Sequence, residues 1–297
     1  MGSSTIMGTP WYGVGMKATR TAVGLFLVSL SPSLGAAVRT SSFHSSSLGR
    51  EVGYSVDLPP SFGDGKPLPV LYVLHGLFEG PDFWERRGLS TIVHSLWKGK
   101  EVPEFIVVAV DGSNSFFVNG PQGAYEDLVT RDLVAQVERS YPAIARRQGR
   151  ALLGVSMGGY AALRIGFKHP DLFGAVAAHS AMLLESIPRP DDGAGRWQMA
   201  AFHEVFGDPI DPKLWSESNP LQLVERVTPG TAPALYFDCG AQDRYGLFAG
   251  NTDLHRRLEA HGIRHEFGLY PGDHGYEYVR SVLERSLRFM GRVLGAP

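Results

Sequence analysis

The 297-residue chain has one cysteine, Cys239. That excludes an internal disulfide and any metal site built from several cysteine thiolates. Neither sign of charge is in excess: 28 Lys+Arg stand against 30 Asp+Glu, a formal net charge of −2. A nucleic-acid binder carries a marked basic surplus, so this balance argues against that class. The sequence has no H-E-x-x-H zinc motif, no P-loop and no G-x-G-x-x-G dinucleotide fingerprint. It also has no internal repeat of solenoid or propeller length. No metal and no cofactor is therefore expected, and the chemistry falls to ordinary side chains.

Acidic residues are absent from the first 37 positions, where Lys17 and Arg20 are the only charges. An apolar stretch follows from Thr21 to Leu30, then small residues at Gly35, Ala36 and Ala37. A positive start, a short apolar stretch and a small-residue exit describe a secretory signal peptide. The stretch is too short to anchor the chain across a bilayer. The expectation is an N-terminal extension plus signal over 1–37, the signal itself from about Met16. A secreted or periplasmic location follows from it. The serine-rich stretch over 38–50 reads as a flexible lead-in, and 51–297 as one catalytic domain.

From Glu51 onward, short apolar strands alternate with helical patterns. Val70–Leu74, Phe105–Val110, Ala151–Leu153, Ala175–Ala178, Ala234–Phe237 and His265–Tyr270 read as strands. Glu126–Tyr141, Gly159–Lys168, Asn251–Ala260 and Tyr276–Val293 read as helices. This alternation predicts an α/β fold: a mostly parallel central sheet with helices on both faces. Residues 183–230 break the rhythm with six prolines, and Trp197 and Trp215 lie among them. They read as an irregular insertion over the carboxyl ends of the strands, where such sheets bind ligands.

Between one of those strands and the next helix lies Gly154-Val-Ser156-Met-Gly158. This is G-x-S-x-G, the sharp turn that presents a nucleophilic serine above a sheet. The pattern alone is weak; the strand before it and the helix after it give it weight. A tetrahedral oxyanion needs two backbone donors. One is the N–H of Met157. The other comes from the loop His75-Gly76-Leu77-Phe78, with Leu77 preferred over Phe78. In this chain order the acid and then the histidine follow the serine. Of the seven histidines after Ser156, only His274 sits in a short glycine-flanked loop between the last strand and last helix. The orienting acid belongs in the loop after the preceding strand. Asp243 suits that place, and Asp238, still in strand context, is the alternative. His75 and His179 read as structural, and Cys239 as an inert core thiol.

Several segments carry a resemblance to a known family: Leu71–Leu77, Val108–Gly112, Tyr125–Leu128, Gly154–Tyr160, Phe237–Asp243 and Gly272–Tyr276. They resemble the esterase D-like branch of the α/β-hydrolase superfamily. That branch holds feruloyl esterases, S-formylglutathione hydrolase, tributyrin-type esterases and mycolyltransferases. The resemblance implies an α/β-hydrolase fold with Ser156 as nucleophile, Asp243 as acid and His274 as base. It also implies Leu77 and Met157 as oxyanion donors. Tyr276 stands where the family often has tryptophan.

The expected activity is a serine carboxylesterase acting on a small or polysaccharide-linked ester, feruloyl, acetyl or short-chain. Phe78, Trp84, Asp111, Trp197 and Trp215 are candidate substrate contacts, although for Asp111 a turn residue opening Asp-Gly-Ser-Asn is the preferred reading. Transfer of the acyl group to a sugar hydroxyl is a rival outcome of the same chemistry. A non-catalytic binding protein on this scaffold is a rival of another class.

Overall fold

The computed structural model describes residues 1–2, 38–189 and 196–295, with backbone alone at 196–198. The expected signal segment therefore lies outside the described residues. So does nearly all of a separate unit, Met1–Ser33; Leu34–Pro297 form the other, compact unit.

The strands are β1 (Val38–Ser45), β2 (Arg50–Asp57), β3 (Val70–Leu74), β4 (Ile106–Val110), β5 (Asn119–Gly120), β6 (Gly123–Ala124), β7 (Arg150–Val155), β8 (Ala175–His179), β9 (Ala234–Gly240) and β10 (His265–Tyr270). The helices are α1 (Phe83–Arg86), α2 (Leu89–Lys98), α3 (Tyr125–Asp127), α4 (Val134–Ser140), α5 (Met157–Lys168), α6 (Arg196–Phe206), α7 (Pro212–Ser218), α8 (Pro220–Leu223), α9 (Phe248–Ala260) and α10 (Tyr276–Leu294). Eight strands form one sheet in the order β1-β2-β4-β3-β7-β8-β9-β10, and β5 and β6 pair separately. From β4 to β10 the strands run parallel; β1 and β2 are antiparallel additions at one edge.

The alternation along β3 shows why helices cover both faces. Val70, Tyr72 and Leu74 enter one core, with residues of α5 and α9; Leu71 and Val73 enter the other, with residues of α2 and α10. All five side chains are fully buried. Successive side chains of a strand point to opposite faces, so a strand apolar throughout must be covered twice.

Three expectations are corrected. The serine-rich stretch read as a flexible lead-in forms β1, paired with β2 from Val38↔Asp57 to Ser45↔Arg50. It is an edge strand whose first residues are mostly exposed, so no apolar alternation marks it. The single helix expected over Glu126–Tyr141 is α3, a wider π-helical segment over Leu128–Leu133, and α4. At this break Thr130 Oγ1 donates to the Glu126 carbonyl at 2.9 Å, competing with the regular ladder. The insertion expected to be irregular contains α6, α7 and α8. Its prolines partly start helices: Pro212 and Pro220 follow Asp211 and Asn219, whose side chains accept from the first-turn N–H groups.

One buried charge cluster braces α3 against α5. Glu126 accepts from Arg164, Lys168 and His169, the latter two at 2.8 and 2.6 Å. Burial pushes the Glu126 carboxyl up, but the His169 hydrogen bond and the Arg164 and Lys168 charges outweigh it and hold it at about 2.

Candidate active site

Ser156 follows β7 directly and precedes the first residue of α5, at φ 56° and ψ −112°. This is a strained backbone for a residue with a side chain. The motif glycines are what packing requires there. A Cβ on Gly154 would lie 1.9 Å from the Gly158 carbonyl oxygen, and one on Gly158 2.0 Å from the Leu74 carbonyl oxygen. The Ser156 N–H donates to the His179 carbonyl at 2.9 Å, which fixes the turn to β8.

The structure brings Ser156, His274 and Asp243 together. Ser156 Oγ and His274 Nε2 are 3.0 Å apart, and His274 Nδ1 is 2.8 Å from Asp243 Oδ2. His274 sits in the turn between β10 and α10, and Asp243 in the turn after β9. Asp243 is buried and also accepts from the Tyr245 N–H at 2.9 Å. Burial raises its carboxyl, yet the His274 hydrogen bond and charge and the backbone donors bring it below the usual carboxylate range. Asp238 does not reach His274. It lies within β9, fully buried, and contacts His179, Tyr236 and Tyr278 instead. The Tyr245 ring stands edge-on to the His274 imidazole, centroids 4.9 Å apart.

Met157 opens α5, so its N–H has no intrahelical acceptor. Among the described residues the Leu77 N–H makes no hydrogen bond. The Phe78 N–H, in contrast, donates to Asn114 Oδ1 at 2.8 Å, and Phe78 has φ 63°. His75 holds the loop from below. Its Nε2 accepts from the Gly112 N–H at 3.0 Å, so Nδ1 carries the proton and donates to the Gly76 carbonyl at 2.8 Å. Complete burial keeps this imidazole below its ordinary pKa. Glu79 pairs with Arg86 and Arg87, and Arg87 lies over the Tyr276 ring at 4.9 Å.

A cavity of about 480 Å³ opens onto Ser156 and His274, its walls including Leu77, Phe78, Met182, Tyr245 and Tyr276. A cavity of equal size at the β10 edge is lined by histidine, glutamate and aromatic side chains. Phe78 is 70% exposed at the mouth of the first cavity.

Trp84, Asp111 and Trp215 do not line this cavity. Trp84 is buried, its Nε1 3.3 Å from Asp57 Oδ2. Trp215 is buried against the rings of Phe202 and Phe206. Asp111 accepts from the Ser113 N–H at 2.9 Å in a local turn. The Trp197 side chain is outside the described residues. Met182, Tyr245 and Asn114 were not singled out by sequence. Only Asn114, in the turn-forming run Asp111-Gly-Ser-Asn114, carried a signal that could have found it.

A serine on a strand-to-helix turn above a mostly parallel sheet, with helices on both faces, defines the α/β-hydrolase class. Residues 45–290 match the family model described as "Putative esterase", and the chain belongs to this esterase family. Among its relatives, Esterase MT1326 of Mycobacterium tuberculosis is 27% identical over 256 residues, 78% of this chain and 54% of that protein. The chain thus spans about half the length of that relative. An acetyl esterase of Caldicellulosiruptor saccharolyticus is 26% identical over 237 residues, 77% of this chain and 86% of that protein. Among solved structures, a ferulic acid esterase superposes with a TM-score of 0.74 at 28% identity, covering 87% of this chain and 98% of that one. No helix among the described residues is long and apolar enough to cross a membrane.

Proposed function

We propose that this chain is a serine carboxylesterase in which Ser156, His274 and Asp243 act as nucleophile, base and orienting acid. The observation that carries the reading is the continuous hydrogen-bonded line from Ser156 Oγ through His274 to Asp243 Oδ2, 3.0 and 2.8 Å long, at the floor of an open cavity.

In the proposed reaction Ser156 Oγ attacks the ester carbonyl while His274 Nε2 takes its proton. The oxyanion rests on the Leu77 and Met157 N–H groups. Asp243 holds the imidazole tautomer and stabilises its cation. His274 then gives the proton to the alkoxide as the C–O bond breaks, and the alcohol leaves. Water, deprotonated by His274, attacks the acyl-enzyme; Ser156 regains its proton and the carboxylic acid is released. No step requires a metal or a cofactor.

The substrate in this proposal is an ester with an apolar or aryl acyl group. The apolar walls from Leu77, Phe78, Met182 and Tyr245 support that choice, as does the likeness to a ferulic acid esterase across 98% of its chain. Export through the leader at about 16–37 belongs to the same proposal, and the amino-terminal sequence of material recovered outside the cell tests it. For the activity, Ser156→Ala is expected to abolish p-nitrophenyl butyrate hydrolysis with an unchanged circular dichroism spectrum. Turnover retained by that variant contradicts the assignment.

A further inference from the structure

Directly beneath the site lies a second polar cluster, enclosed on every side. Asp238, His179 and Ser286 are all fully buried. His179 Nδ1 lies 3.0 Å from both Asp238 oxygens, and its Nε2 lies 2.9 Å from Ser286 Oγ. Tyr236 and Tyr278 hydroxyls donate to the same carboxylate, each at 2.8 Å, one to each oxygen. A carboxylate cut off from water is tolerated only with such donors, and losing one leaves an unmet acceptor in the core. Each of these bonds is therefore a firm restraint on the element that supplies the donor.

Tyr278 supplies its donor from the first turn of α10, four residues after His274. The histidine turn has two legs. The incoming leg is fastened to the segment after β9: the Ala241 N–H donates to the Tyr270 carbonyl at 2.8 Å, the Gln242 N–H to the Gly272 carbonyl at 3.0 Å, and the Gly272 N–H to Gln242 Oε1 at 2.8 Å. The outgoing leg passes through Gly275, at φ 138°, and enters α10. The turn also rests on the Tyr278 ring, since a Cβ at Gly272 would come within 2.8 Å of Tyr278 Cδ2.

We infer that Tyr278 is a positioning residue: its hydroxyl, bonded to Asp238 on β9, pins the outgoing leg of the turn and so holds His274 over Ser156. The inference rests on reading His274 as the base. It makes β9 the common reference for the orienting acid and for the outgoing leg of the histidine turn, because Asp243 lies in the turn after that strand and Tyr278 is tied to it. Ser286 offers the matched comparison. It sits on the same helix, also binds this cluster, and lies two turns beyond Tyr278, away from the histidine turn.

The test compares Tyr278→Phe with Ser286→Ala in the full chain. Thermal midpoints and p-nitrophenyl butyrate kinetics are measured on both, beside wild type and Ser156→Ala. Both variants are expected to melt lower. Tyr278→Phe is expected to lose roughly tenfold or more in kcat with KM within about twofold, the signature of a misplaced catalytic group. Ser286→Ala is expected to keep the wild-type kcat. Wild-type kcat in Tyr278→Phe overturns the inference, and so does an equal loss in Ser286→Ala. If Tyr278→Phe does not fold, Asp238→Asn weakens the same bond from the β9 side, by replacing the carboxylate that the hydroxyl meets. The same kcat-selective loss is expected from it, and unchanged kcat overturns the inference. Failure of the esterase reading itself appears separately, as absent wild-type turnover or retained turnover in Ser156→Ala.

Discussion

The Phe78 N–H donates to Asn114 Oδ1 at 2.8 Å, which supports the proposed choice of Leu77 over Phe78 as an oxyanion donor. The same bond holds the loop in its left-handed kink at Phe78. Asn114→Ala releases that N–H and lets the loop relax. A fall of roughly tenfold in kcat is expected, with KM nearly unchanged. Steady-state kinetics on a p-nitrophenyl ester check it.

Asp243 and Asp238 are separable by the same assay. Asp243→Asn replaces the acceptor of His274 Nδ1 with a group that favours the wrong tautomer. A loss on the order of 10³–10⁴ in kcat is expected, as in other Ser-His-Asp sites. Asp238→Asn leaves that bond in place, so its loss in kcat is expected to be far smaller, near the roughly tenfold expected of Tyr278→Phe, together with a lower melting temperature. The reverse ranking contradicts the assignment of the acid.

The nucleophile turn tolerates no methyl group. In Gly158→Ala the new Cβ would meet the Leu74 carbonyl oxygen at 2.0 Å, which is backbone and cannot rotate away. Overpacking of this kind costs about 1–3 kcal/mol, and more where backbone must move. A lower thermal midpoint together with loss of turnover is the expected outcome.

Glu126 gives the fold a predictable acid limb. Its carboxyl falls from 4.5 to about 2 on folding, so the folded state favours the ionised form. That contribution is complete above about pH 4.5 and is lost as the pH falls towards 2. Its size is on the order of 3 kcal/mol. Thermal midpoints of wild type and Glu126→Gln, taken between pH 7 and pH 2.5, are expected to converge on acidification. A constant gap contradicts the linkage.

Much of this site was legible because its demands are local. Gly154 and Gly158 are imposed by the backbone contacts of one turn, so the motif around Ser156 carries its own geometry. Asp243 stood out from Asp238 because Gly240 ends the strand between them. Other features depend on distant partners. His179 and Asp238 are 59 residues apart, and the cluster they form with Ser286 and Tyr278 appears only once β8, β9 and α10 are assembled. Polar residues inside two otherwise apolar strands were its only trace. β1 left no trace, because an edge strand with exposed serines and threonines resembles a linker until β2 pairs with it. Trp84 and Trp215 show the converse. Aromatic composition suggested a pocket wall, but a buried indole gains as much from the core, where packing against Phe202 and Phe206 holds Trp215.

In the proposed reaction Ser156 is the nucleophile and His274 activates it. The most direct test is covalent labelling with a fluorophosphonate, followed by mass spectrometry of the digested protein. One phosphonyl group per chain is expected, on the peptide holding Gly154-Val-Ser156-Met-Gly158, with activity lost in proportion to labelling. No labelling is expected in Ser156→Ala, and strongly slowed labelling in His274→Ala. Labelling of another serine, or full inactivation with Ser156 unmodified, contradicts this assignment.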